Sequence, residues 1–368
     1  MVPCMDFLNW LEPDMSFKVL TCLDDPSDLV RVGSVSRSWR HFVIEHGLCK
    51  KLCLRMFPQL FRVAGVVELN SPDAEEFAEV GSSNSKELET LEREHRVYAF
   101  LARGFISFDV RSSISNAISA SSTDNHPEES IHNTLQPRDL VGRRASYWSS
   151  KGQSDPAVPE FLIYKLVSDL VVINEISIHP FQGKSFFQAG FPIYSTNAVR
   201  FRMGHVKSPV VVEVDSKGES CHENKFVWTY TSEVFRMTQE NRLQTFKLPE
   251  PVLCIGGILQ IELLGRVQRQ EMDGLFYICV CHVEVKGKPL SPAFGVEIHE
   301  PSGEFVLKND VQAKLHNQPL ENESVVISTV NLENMRDDML PVVNLNVEGI
   351  AEEYEWEEEE GSDEEYFL

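Results

Sequence analysis

LDDPSDLVRVGSVSRSWRHF, residues 23–42, carries a helix-start signal followed by an apolar stripe that runs into a tryptophan and a phenylalanine. Asp25 is a capping residue, Pro26 has the fixed φ suited to a first helical position, and Asp28 sits three residues after the cap. Leu29, Val32 and Val35 follow near-helical spacing, and Trp39, Phe42 and Val43 extend the stripe. Gly33 weakens continuity, so a new turn is expected to start at Ser34 or Ser36. Upstream, Met15, Val19, Leu20 and Leu23 form another short apolar face. Two or three short helices over roughly 45 residues bury too little surface to stand alone. A partner, or another part of this chain, must cover the stripe, and the spacing leaves both open.

The chain has 368 residues, enough for two domains with tails. Its 42% hydrophobic and 24% charged residues are ordinary for a soluble globular protein. No apolar run approaches the roughly 20 residues that span a bilayer, and the N-terminus lacks the basic flank and apolar core of a signal peptide. Eight cysteines without a framework spacing then read as reduced thiols in the cytoplasm and/or nucleus. The formal charge of −22 argues against nucleic-acid binding. Much of that charge lies in AEEYEWEEEEGSDEE from Ala351, a composition expected to stay solvated and disordered.

Read in order, LEPDMSFKVLTCLDDPSDLVRVGSVSRSWRHFVIEHGLCKKLCLRMFP, from Leu11 to Pro58, resembles the F-box. The most specific part is Leu29 to Arg40, where Val32, Val35, Ser36, Arg37, Trp39 and Arg40 keep the family spacing. The chain departs from the pattern at Leu11-Glu12, where Pro13 is displaced by one position, and at Cys49, where the family carries a later tryptophan. The resemblance implies docking on the Skp-type adaptor of a cullin-RING ubiquitin ligase. Carried over by position, the adaptor-facing residues are Leu11, Pro13, Met15, Val19, Leu20, Leu23, Leu29 and Val32. Val35 and Trp39 match as well and are at least as well suited to the core of the box.

Residues 61–134 are expected to be a linker with one helix, about 86–104, in SKELETLEREHRVYAFLARG. Leu88, Leu91, Val97 and Leu101 share a face there and Gly104 supplies the stop. The Ser-rich RSSISNAISASSTDNHPEES reads as a flexible stretch. After Pro137 the period changes to two. Ile176 and Ile178 alternate with Ser177 and His179, and Val199, Phe201 and Met203 alternate with Arg200 and Arg202. Many short strands without helical pattern between them predict an antiparallel sandwich or barrel over residues 135–290. Residues 291–345 hold weaker strand signals and 346–368 form the acidic tail. The fold class is therefore α+β multidomain, helices first and sandwich second.

RRASYWSSKGQSDPAVPEFLIYKL and the later LQTFKLPEPVLCIGGILQIELLGRVQRQEMDGLFYICVCHVEV resemble discoidin and galactose-binding-like jelly rolls, over about Leu135 to Val285. With the box, the chain resembles a group of plant F-box proteins that carry such a domain. In that fold class loops at one end of the sandwich meet the ligand, which places Trp148, Ser150, Lys151, Gln182 and Lys184 as candidates. Trp148 also suits plain packing at a strand end.

Cys279, Cys281 and His282 do not read as a metal site. Period two puts both thiols on one face with Tyr277 and Val283, and His282 on the other with Ile278 and Val280. Cys49 and Cys53 lack a second pair. No nucleophile elbow or phosphate-binding loop occurs. No catalytic residue, metal or cofactor is expected. The expected function is a ubiquitin-ligase substrate receptor, reaching cullin through the adaptor and holding a protein target, glycosylated or not, on the sandwich. The alternative is a carbohydrate-binding module whose helices only brace the sandwich.

Overall fold

The computed structural model describes residues 8, 10–69, 83–137, 140–141, 144–183, 192–207, 225–299, 302–310 and 312–313. The acidic tail, including Tyr354 and Trp356, lies outside the described residues. The helices are α1 (Pro13–Thr21), α2 (Pro26–Val35), α3 (Arg37–Glu45), α4 (Leu48–Met56) and α5 (Ser83–Ser107). The main strands are β1 (Val63–Leu69), β2 (Ile114–Ala120), β3 (Glu160–Leu166), β4 (Leu170–Gln182), β5 (Thr196–Val206) and β6 (Phe226–Thr231). They continue with β7 (Gln244–Ile255), β8 (Ile258–Arg266), β9 (Cys279–Pro289), β10 (Phe294–His299) and β11 (Glu304–Asp310). No helix among the described residues is long and apolar enough to cross a membrane.

The helix starts follow the local chemistry. Asp25 caps α2 by accepting from the Ser27 N–H at 2.7 Å, with Pro26 in the first turn. The break falls at Ser36, whose hydroxyl accepts from the Trp39 N–H at 3.2 Å and so caps α3. Asp28 turns instead to the Arg31 guanidinium, 2.7 Å away.

The sandwich has one sheet in the order β6-β5-β8-β3-β2 and a second in the order β7-β4-β9, extended by Arg111–Ser112. Neighbouring strands within each run antiparallel. Ile176 and Ile178 from one sheet and Val199, Phe201 and Met203 from the other fill the space between them. Outward-facing Arg200 and Arg202 both pair with Glu262 on β8.

The Ser-rich stretch is part of this sandwich and not a flexible linker. β2 is an edge strand paired to β3, Ala117 reaches the core, and Ser113 is fully buried between the Val285 and Val167 backbones. The strand needs apolar side chains on one face only, and hydroxyls at its two ends find local acceptors, Ser113 at the Arg111 carbonyl (3.0 Å) and Ser121 at Glu160. The sandwich thus begins near residue 111.

A third sheet was unforeseen at its first strand. β10 and β11 form a hairpin, and β1 lies parallel to β11, pairing Val66 with Leu307. This sheet, α4, α5 and one end of the sandwich enclose a second core. Leu52 and Cys53 of α4 meet Val97, Tyr98 and Leu101 of α5, with Leu170, Leu253 and Ile255 from the sandwich end. The described residues within 61–134 therefore join the helices and the sandwich through packed structure. Gly104 does not stop α5, which runs on to Ser107; a Cβ there would lie 3.2 Å from the Phe108 ring, closer than an ordinary contact, so the ring would have to shift. Leu88 is exposed instead of sharing the buried face, because the packed contacts of α5 begin further along.

A β-bulge between Val280 and His282 corrects the face assignment on β9. Val283 joins Ile278 and Val280 in the inter-sheet core, while Cys279 and Cys281 pack outside it with Tyr147, Phe181, Tyr194 and Tyr277.

Two half-buried imidazoles make the fold acid-sensitive. Desolvation holds the pKa of His95 down, helped by Arg40 and Arg96 and opposed by Glu92. Desolvation also lowers that of His282, helped by His179 and opposed by the Thr134 carbonyl, 2.9 Å from Nδ1, and by Glu284. The unfolded chain then binds more protons than the folded one below about pH 6.5, so stability falls as pH drops from there and levels off below the folded values. Calorimetry between about pH 7.5 and about pH 5.5 is expected to show a falling Tm, with a smaller fall for His95→Gln with His282→Gln. An equal fall in that variant would assign the effect to other groups.

Candidate functional site

Helix α1 has two apolar faces, and they do different things. Ser16 and Leu20 are buried and α1 rests on α4. Met15 and Val19, one turn apart, point away and are 48% and 46% exposed, against 4% for Leu20. Leu11 and Trp10 just ahead of the helix are exposed too. The pose of α1 is set by α4: Arg55 donates to the Leu23 carbonyl at 2.6 Å and to that of Thr21, and pairs with Asp24 at 2.8 Å. The Lys51 ammonium lies 4.6 Å from the centre of the Phe17 ring. A helix gripped on one side thus presents an apolar stripe on the other.

Of the eight positions assigned to docking, Leu11, Pro13, Met15 and Val19 are exposed. Leu23 and Val32 are half-buried against the chain's own second core. Leu20 and Leu29, 4% and 2% exposed, belong to that core and are corrected from docking to packing positions. The physical reason is α5 and the sandwich end, which cover the inner side of the box and which helical spacing within the box could not reveal. Val30 is outside the docking set and Val35 matches the docking pattern and the core of the box alike; both are exposed, Val35 to 61%. Their signal is an apolar residue standing off the Pro26–Leu29 side of α2, or next to the Ser36 break. Trp39 is half-buried.

The far end of the sandwich is organised by a buried ion pair. Arg266 and Glu160 side chains are 0% and 3% exposed. The guanidinium donates to Ser150 Oγ at 2.7 Å and to the carbonyls of Lys151 (3.0 Å), Phe276 (3.1 Å) and Val158 (3.2 Å). Glu160 accepts from Arg266, from Ser122 at 2.8 Å and from Ser121. The backbone at Lys151, Val158 and Phe276 is thus tied to one planar cation.

That network corrects two ligand assignments. Ser150 is fully buried, accepting from Arg266 and from the Ile278 N–H at 3.0 Å. Trp148 is fully buried in the inter-sheet core, its indole N–H donating to the Ser122 carbonyl at 3.1 Å. A strand-end aromatic between two sheets buries more apolar area inward than a loop offers outward. Lys151 is exposed at this end, and half-buried Gln182 accepts from Asn241 at 2.8 Å. Lys184 lies outside the described residues.

Tyr147 stacks on Phe181 with ring centres 4.0 Å apart and donates to Glu129 at 2.6 Å. Asp124 has its pKa raised by desolvation and by Glu129 and Asp273, with Lys151 opposing. Burial pushes the thiol of Cys49 up to about 12 and raises that of Cys279, so both remain protonated packing groups. The two ends of the sandwich are thereby distinguished, one packed on the helices and the other closed by Arg266.

Comparison with known proteins adds three findings. The family model described as F-box-like matches residues 13–55. An F-box protein of Arabidopsis thaliana is 54% identical over 310 residues, 83% of this chain and 82% of its own length. Among solved structures, a family 32 carbohydrate-binding module from C. perfringens NanJ, in complex with galactose, is 13% identical; it covers 48% of this chain and 98% of its own, with a TM-score of 0.31. Discoidin II of Dictyostelium discoideum is 11% identical and covers 52% of this chain and 60% of its own, also with a TM-score of 0.31. The sandwich assignment here rests on its own strand pairing.

Proposed function

The chain belongs to the F-box proteins, and on that premise we propose that it docks on a Skp-type adaptor through the outer face of α1 and α2 and, through that adaptor, on cullin, as a substrate receptor of a ubiquitin ligase acting in the cytoplasm and/or nucleus. The observation that carries this reading is the exposed stripe of Leu11, Met15 and Val19 on a helix locked from behind by Arg55 and Leu20. A role in which the helices only brace the sandwich accounts for Leu20 and Leu29 and leaves the outer stripe without a purpose.

The target is held by the end of the sandwich closed by Arg266, where Lys151 is exposed. The receptor performs no bond chemistry in this reading. It raises the effective concentration of the target beside the ubiquitin-carrying enzyme. The shared core between helices and sandwich supports that role, since a packed junction keeps the target end at a set position relative to the adaptor.

The test is direct. Purified full-length chain mixed with a recombinant Skp-type adaptor is expected to elute from size exclusion as a one-to-one complex. Separate elution of two folded proteins at micromolar concentration would sink the proposal. Point variants of the full chain are the right tools, because deleting the first sixty residues would expose Leu170, Leu253 and Ile255 of the shared core.

A further inference from the structure

The seam between the helical module and the sandwich holds a cavity of about 320 Å³ that neither the adaptor face nor the target end uses. Its walls come from far-apart parts of the chain: Phe61 and Arg62 from the turn Pro58–Arg62, Ile255 from the end of β7, Ile298 from β10 and Phe305 from β11. The wall is mostly apolar, with Gln59, Arg62, His205 and Thr229 as its polar members, and none of its ten lining residues is acidic.

Three features separate this space from a packing defect. Phe61 stands at the wall 84% exposed, although the core containing Leu60 lies directly behind it. Arg62 is exposed beside it and pairs with no carboxylate among the described residues, while nearby Arg55 and Arg96 both do. The carboxamide oxygen of Gln59, also in the wall, is enclosed without a hydrogen-bond partner, so no acceptor bond holds that amide in one orientation. Gly303, at φ +68°, brings the β10–β11 turn close to the Arg62 guanidinium, and a Cβ there would lie 3.3 Å from Nη1.

We propose that this cavity binds a small amphipathic anion, an apolar body carrying a carboxylate. The body lies between Phe61, Ile298 and Phe305, and the carboxylate meets Arg62 at the mouth. A guanidinium suits a carboxylate geometrically, and pairing at the edge of an apolar wall is stronger than in open water. The volume stands at the lower end of the range of small-molecule sites, about 300–1,000 Å³. It suits a single ring with a short acid chain. The site goes beyond the receptor role and stands or falls separately from adaptor capture.

The probe is 4-phenylbutyrate, with neutral 4-phenylbutyramide as its control, titrated calorimetrically into the full chain. Saturable one-to-one binding of the acid is expected, with the amide weaker by about tenfold or more, the usual worth of a charge-assisted hydrogen bond. Arg62→Gln, a surface change that leaves the fold intact, is expected to bring the acid down to the level of the amide. Ile298→Trp fills the cavity while keeping the charge, and is expected to abolish binding of both. Absence of saturable binding, equal affinity for acid and amide, or unchanged affinity in Arg62→Gln would each overturn the proposal. Should Ile298→Trp fail to fold, Arg62→Gln decides alone.

Discussion

Replacing Met15 and Val19 together by aspartate is expected to abolish adaptor capture while the protein keeps its wild-type melting temperature. Both side chains project from α1 into solvent, so aspartate there meets water and leaves the core untouched. In a complex the same positions are enclosed, and each carboxylate must shed its water against an apolar surface. At about 2 kcal/mol for each lost anchor, two anchors lower affinity on the order of several hundred-fold. Calorimetric titration against a Skp-type adaptor, with a thermal melt of each protein, checks both halves. Undiminished capture by the folded double variant would move the docking surface off α1.

The contrast that gives this result meaning is Leu20→Asp with Leu29→Asp. These two sit in the core shared with α5, so a charge at either is buried without a partner. That variant is expected to lose its cooperative melt, and loss of capture with it would say nothing about docking. Only the outer pair separates binding from folding.

The second large effect is expected at Arg266. Arg266→Met leaves Glu160 buried with only Ser121 and Ser122 as donors, and removes the donor from Ser150 and from three loop carbonyls. Breaking a buried ion pair by removing one partner costs about 3–5 kcal/mol. Glu160→Gln leaves the complementary cation short of its charge partner and is expected to lose stability in the same direction. Arg266→Met with Glu160→Leu removes both charges, and its loss is expected to be smaller than the sum of the two single losses. Urea denaturation followed by tryptophan fluorescence reports this, since Trp148 is bonded within the same loops through Ser122. A loss below about 1 kcal/mol for Arg266→Met, the size of an ordinary surface pair, would show that the loops hold themselves.

Short-range chemistry carried much of the architecture. A cap and proline at Asp25-Pro26 start a helix wherever they fall, and Ser36 breaks one for the same reason. Alternation at Ile176–Ile178 and Val199–Met203 separated the inner from the outer face of two strands before any partner strand was known. The packing role of Trp148 was open to the same kind of argument. These features depend on residues within a turn or two of each other, so the order of the residues encodes them fully.

What remained depended on neighbours far along the chain. Leu20 and Val19 are adjacent and equally apolar, and only the position of α4, α5 and the sandwich end decides which is core and which faces solvent. The Ser-rich stretch became a strand because β3 offered it an edge, the bulge near Cys281 turned Val283 inward, and the Phe61–Arg62 cavity exists only where segments distant in sequence meet. Periodicity reports that a side chain is apolar and how often its face recurs. The identity of the surface opposite that face is a non-local fact, and it comes into being only when the chain closes on itself.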